Sequence, residues 1–225
     1  MWSIRLKGET LDLQLLQQML IAAELNIRQN DGNYYLTGTL FDQLADAEEI
    51  QAFARDLIQK INGAGKVVID GYISVDFDHI VRQSSSGPVT SAFRDTAARF
   101  KLRKAPTAYA QSPSMRSIVM LSLTDDAVEK VLRIQESRPL NFVELYKVVD
   151  VISNDLGGIH QLRQRNWVPK TEISRFTQTA NHPGAAGDEA RHGFSNAAQP
   201  KRRMSLPEAQ ALVRQIIHRW VDKKV

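Results

Sequence analysis

The chain has 225 residues, 43% apolar and 24% charged, a balance that excludes an intrinsically disordered polymer, and no run approaches the ~20 apolar residues of a membrane helix. It contains no cysteine, which removes disulfides, thiolate metal sites and cysteine nucleophiles together. The formal net charge of +4 is uneven: from residue 160 onward twelve Lys and Arg stand against five Asp and Glu, a bias that suits an anionic partner such as nucleic acid or, equally, a solvated basic face.

The length suggests two domains. In WSIRLKG, Trp2, Ile4 and Leu6 alternate with Ser3, Arg5 and Lys7, the period of a half-buried strand. The stretch ELNIRQNDGNYYLTG offers two strands around Asp31-Gly32, which is hairpin turn chemistry. After Asp46 the period becomes helical through Ile50, Phe53, Ala54, Leu57, Ile58 and Ile61, and Asn62-Gly63 is the expected stop. KVVIDGYISVDFDHIV and Val89 to Leu102 return to strand character around a polar SSSG tip at 84–87. In VDFDH, strand alternation places Asp76 and Asp78 on one face and His79 on the other. The carboxylates suit either a divalent cation or the charged edge that discourages aggregation, and the second reading is preferred.

KAPTAYAQSPS, at 104–114, has two prolines and no periodicity, so the linker is placed there, with an α+β domain over 1–106 and an all-α domain over 107–225. The first is expected to be a small mixed or antiparallel sheet with one or two helices. In the second, Thr124 caps TDDAVEKVLRI, and Asn141 begins a helix that buries Phe142, Leu145, Val149, Ile152 and Leu156 and stops at Gly157-Gly158. A helix from Pro169 turns Ile173, Phe176 and Ala180 inward and must end near Asn181, because Pro183 bars His182 from helical geometry. Ser205, Pro207 and Glu208 open a last helix with Ala209, Leu212, Val213, Ile216 and Trp220 in one stripe.

RFTQTANHPGAAGDEARHG, at 175–193, concentrates the chemistry. Arg175 and His182 are two helical turns apart, so a guanidinium could hold a phosphate while an imidazole moves a proton. The alternative is structural, with His182 at a helix end and Arg175 in a surface ion pair. GDEARHG offers Asp188, Glu189 and His192 as cation ligands, but Arg191 repels a cation and a second histidine is missing, so no metal is expected. Arg191 and His192 instead anchor the loop on Asp188, Glu189 or backbone carbonyls. Lys201, Arg202 and Arg203 extend the basic surface. Neither GxxxxGK[ST] nor GxGxxG occurs, so no nucleotide cofactor is expected.

A helical domain carrying an Arg and, a few residues later, a His resembles the HEPN superfamily, whose catalytic members are metal-independent ribonucleases of toxin and antiviral defence systems. The resemblance rests on RFTQTANH and covers the second half of the chain. It implies RNA as substrate or ligand, Arg175 and His182 as the catalytic pair, and Arg191, His192, Lys201, Arg202 and Arg203 as nucleic-acid contacts. Phe176 stands where that family usually has a polar residue, and Pro183 is not part of its pattern. The other reading is a non-catalytic interaction module, a subunit of a larger bacterial assembly whose N-terminal sheet edge docks a protein partner, whereas a homodimer would favour the catalytic reading. Both readings place the protein in the cytoplasm, since the charged start MWSIRLKGE lacks the apolar region of a signal peptide.

Overall fold

The structure is a computed structural model that describes residues 2–84, 87–92, 105–109, 112–137, 140–191 and 200–225. It is α+β and divides into two compact units, Met1–Met120 and Leu121–Val225. Among the described residues no helix is long and apolar enough to cross a membrane.

The first unit is built on an antiparallel sheet of β1 (Trp2–Lys7), β2 (Asn26–Asn30), β3 (Asn33–Thr37), β5 (Asp76–Ser84) and β6 (Gly87–Ala92), in the order β2-β3-β1-β5-β6. The short β4 (Ile69–Asp70) lies outside it. Alternation in β1 buries Ile4 and Leu6, level with Leu36 on one side and with Ile80 and Phe77 on the other. The β2-β3 hairpin turns at Asp31 (φ 48°) and Gly32 (φ 74°), the left-handed pair that a two-residue turn needs to follow the sheet twist. Two helices contact this sheet, α1 (Thr10–Met19) at β2 and α2 (Ala47–Val68) at β5. Nothing in the sequence pattern had marked α1, which lacks a side-chain cap and buries only Asp12, Leu13 and Leu16.

Helix α2 starts where expected, with the Asp46 carboxylate accepting from the N–H groups of Glu48 and Glu49. It does not stop at Asn62-Gly63. Asn62 is buried inside the helix and works at a distance: its Nδ2 donates to the Val75 carbonyl (2.8 Å), and its Oδ1 accepts from Val75 N–H (2.9 Å) and Tyr72 Oη–H (2.8 Å). A residue read as a helix stop thus straps the loop leading into β5. Gly65 has a matching role, since a Cβ there would lie 2.6 Å from the Tyr72 ring.

β5 carries an extra residue. Arg5 pairs with His79 but Leu6 pairs with Phe77, so Asp78 bulges out and joins His79 on the outer face, whereas simple alternation had put His79 opposite. Arg5 grips Asp78 with two hydrogen bonds (Nε to Oδ1 2.8 Å, Nη2 to Oδ2 2.6 Å). These outweigh burial and hold the Asp78 carboxyl down at about 2. His79 Nδ1 lies 2.8 Å from Asp78 Oδ1 without the alignment of a hydrogen bond. The remainder of the strand expected over Val89 to Leu102, beyond Ala92, lies outside the described residues.

The unit boundary falls later than the 106/107 expected. Within the linker stretch, β7 (Thr107–Ala108) pairs with β4, Tyr109 N–H donates to the Val68 carbonyl, and Tyr109 Oη–H donates to Asp70. Helix α3 (Met115–Leu121) follows, with Arg116 paired to Glu24. A segment poor in apolar residues is therefore held to the first unit by hydrogen bonds.

The second unit comprises α4 (Asp126–Ser137), α5 (Phe142–Asp155), α6 (Ile159–Gln164), α7 (Lys170–Asn181), α8 (Pro183–Ala186) and α9 (Leu206–Val221), and α5 touches α4, α6, α7 and α9. The cap of α4 is Asp125, not Thr124: its Oδ1 accepts from the N–H groups of Ala127 and Val128, while the Thr124 hydroxyl donates back to the Leu121 carbonyl. A carboxylate is the stronger acceptor at the positive end of a helix. Asp125 also receives Lys224 Nζ (2.7 Å), which reaches Asp155 Oδ1 (2.8 Å) as well, and Asp155 Oδ2 accepts Trp220 Nε1–H (2.7 Å). Burial pushes Asp125 upward, but Lys224 and the helix N–H groups overcome it and leave the carboxyl below its ordinary value.

Two stability tests follow from these clamps. Asn62→Ala strands three polar groups and should cost about 3 kcal/mol or more, whereas Tyr72→Phe removes one bond and should cost about 1 kcal/mol. Similar losses in urea titrations would contradict the strap. Trp220, 1% exposed, should cost about 3–5 kcal/mol as Ala but only about 1–2 kcal/mol as Phe, which keeps the packing and loses the bond to Asp155. Equal losses from the two Trp220 substitutions, by the same titration, would show that packing contributes nothing.

Candidate nucleic-acid interface

Helix α7 presents two faces. Ile173, Phe176, Thr179 and Ala180 are buried, while Lys170, Thr171 and Gln178 are exposed on the other side. The segment that precedes α9 is drawn onto α7 by two polar ties. Thr179, fully buried, donates its hydroxyl to the Arg175 carbonyl (2.9 Å) and accepts from Met204 N–H (3.0 Å). Arg175 supplies the second tie: Nη1 donates to Glu172 (3.1 Å), and Nη2 donates to the Arg203 carbonyl (2.7 Å) and to both Glu208 oxygens (3.0 and 3.1 Å).

Glu208 serves two partners. As the fourth residue of the S-x-x-E box its Oε2 accepts from Ser205 N–H (2.7 Å) and Ser205 Oγ–H (2.8 Å), and it also receives Arg175. The two Ser205 donors, then Arg175, lower the Glu208 carboxyl to about 2. The same pairing, led by Glu208, raises Arg175 above its ordinary value.

These ties suspend Lys201 and Arg202 opposite Lys170. The result is an open groove of about 550 Å³ whose cationic wall is Lys170, Arg175, Lys201 and Arg202, with Ser174 and Gln178 as polar lining and Glu172 as its acid. Among the described residues Lys170, Lys201 and Arg202 form no ion pair, while Arg175 is saturated by carboxylates. Three exposed cations around a concave surface attract a polyanion.

The other residues singled out in the sequence lie elsewhere. His182 is extended (φ −104°, ψ 116°), caps α8, and accepts Gly184 N–H at Nδ1 (3.0 Å). Arg191 donates its backbone N–H to the Ala180 carbonyl (2.8 Å) and lays its guanidinium over Tyr146, Cζ being 4.3 Å from the ring centroid. Among the described side chains its guanidinium contacts that ring and not Asp188, while the side chain of Glu189 lies outside the described ones. Arg203 is exposed and contributes its carbonyl to Arg175. Among the described residues neither His182, Arg191 nor Arg203 lines the groove. His192 lies outside the described residues. Lys170 and Tyr146 were not identified from the sequence; Lys170 carried a readable signal, being four and eight residues before Ser174 and Gln178 on one helix face.

Compared with protein-family models, curated proteins and solved structures, the chain matches none.

The Glu208 clamp titrates in acid. Its folded-state value of about 2 is below the ordinary 4.5, so its stabilising contribution is complete above pH 4.5 and is lost as pH falls toward 2. Thermal melts of wild type and Glu208→Gln should therefore differ most near neutrality and converge between pH 4.5 and 2. A gap that stays constant over that window would mean Glu208 is not held as an anion.

Proposed function

We propose that this protein binds single-stranded RNA through the basic groove of its C-terminal helical unit, with Arg175 shaping the site rather than acting on the substrate. The observation that carries this reading is the division of labour among the groove's cations. Arg175 is consumed by Glu172, Glu208 and the Arg203 carbonyl, while Lys170, Lys201 and Arg202 face the open groove without ion-pair partners among the described residues. A basic groove follows one phosphate backbone and tolerates many sequences.

The ribonuclease chemistry implied by the HEPN resemblance asks more of the same residues. Arg175 would have to exchange two carboxylates and a carbonyl for a phosphate, and His182 would have to reach that phosphate from the cap of α8, outside the groove wall. Binding requires neither change, so it is the reading the geometry supports best.

Fluorescence anisotropy with a labelled single-stranded RNA tests it. Lys170→Ala, Lys201→Ala and Arg202→Ala combined should weaken binding about tenfold or more near 0.1 M salt and lower the slope of log K against log salt by about 2, the share of three contacts on a single strand. Unchanged affinity and slope would refute the groove. Cleavage of the RNA in EDTA, abolished by His182→Ala, would overturn the binding reading in favour of the catalytic one.

A further inference from the structure

On the other side of α7 from the groove is an arrangement that phosphate binding does not use. Phe176, 1% exposed, stacks on Tyr146 with ring centroids 6.3 Å apart and planes inclined by 23°. Arg191 covers Tyr146 with its Cζ 4.3 Å from the centroid, a separation at which a planar cation lies against the ring. Arg191 itself remains exposed. Tyr146 thus contacts both a core ring, Phe176, and a guanidinium at the surface, Arg191.

The Arg191 side chain is not needed to hold its own backbone, because its N–H is already bonded to the Ala180 carbonyl at the C-terminal end of α7 (2.8 Å). Nor does it form an ion pair with any described side chain, that of Glu189 lying outside these. What a guanidinium laid on a ring presents to solvent is its second face, together with in-plane N–H donors. Unpaired nucleobases stack on such planes, and their edges accept such donors.

We infer that Arg191, backed by Tyr146 and Phe176, is a base-stacking subsite for a nucleobase of the single-stranded nucleic acid. The inference rests on the binding reading above and adds a contact to an unpaired base to the phosphate contacts of the groove. Arg191 takes one unpaired base, a contact separate from the phosphate contacts of Lys170, Lys201 and Arg202. Arg191 contributes affinity through its plane as well as its charge, which distinguishes it from the groove lysines.

The test uses the full chain and two labelled probes of equal length and charge, an oligoadenylate and the corresponding abasic sugar-phosphate strand. Wild type should prefer the oligoadenylate by about 5- to 150-fold, the worth of one stacked base. Arg191→Lys, which keeps the charge and removes the plane, should bind the abasic strand within about twofold of wild type while losing most of that preference. A preference that survives Arg191→Lys would overturn the subsite, and so would a wild type that binds both probes equally. Either result leaves the groove standing, whereas failure to bind both probes removes the groove and the subsite together. Should Arg191→Lys melt too early to assay, wild type alone still decides: it should bind oligoadenylate more tightly than oligouridylate, whose bases stack less strongly, and equal affinity for the two would overturn the inference.

Discussion

The surface of the helical unit depends on the occupancy of one guanidinium. Arg175 must hold Glu172 on its own helix, Glu208 on α9 and the carbonyl of Arg203 between them, because those bonds set where residues 201–205 run. Without the guanidinium, two carboxylates would face each other beside a backbone carbonyl, an arrangement that repels. The two acids neutralise Arg175 and leave the basic character of the groove to Lys170, Lys201 and Arg202. A residue of the type most often used to grip phosphate is thereby turned into scaffolding, and two lysines and Arg202 carry the surface potential.

The same device recurs through both units. Asn62 reads the backbone of Val75 from inside α2, buried Asp12 accepts Ile73 N–H, and Lys224 joins the cap of α4 to the end of α5. In each case a polar side chain with several hydrogen-bonding positions replaces apolar contact as the link between a regular element and a connecting segment. Loops that bury little apolar surface need such links, because their ordering entropy is otherwise uncompensated.

This pattern explains what the sequence made legible. The α+β division, the Asp31-Gly32 hairpin, the Asn141 and Ser205 caps, the end of α7 before Pro183 and the apolar stripe to Trp220 are local signals, decided by neighbours within a turn or two. Asn62 misled because Asn-Gly is a sound local stop signal, and its three partners lie ten to thirteen residues on. Thr124 was displaced by the better acceptor beside it. The site divided in the same way. Lys201 and Arg202 are visible as a charge run, but of the partners that occupy Arg175 only Glu172 is local, the others being 28 and 33 residues away. Glu208 had already been accounted for as half of a capping box, and nothing in its spacing reveals a second duty. Tyr146 under Arg191 is likewise a meeting of α5 with a connecting segment distant in sequence.

The bulge at Asp78 bears on how this sheet can change length. Between β1 and β5 the paired residues are Arg5 with His79 and Leu6 with Phe77, so β5 is longer than its neighbour by the one residue that Arg5 grips. Shortening β5 by that residue would restore plain alternation, with Phe77 and Ile80 still facing the core and His79 still facing out. Removing His79 instead would do the same with Asp78 facing out, whereas shortening β5 from Ile80 onward would turn part of the strand over and expose its apolar residues. The strand thus has a single point at which its length is negotiable, and the ion pair that marks it is on the solvent side, where its loss leaves the interior undisturbed.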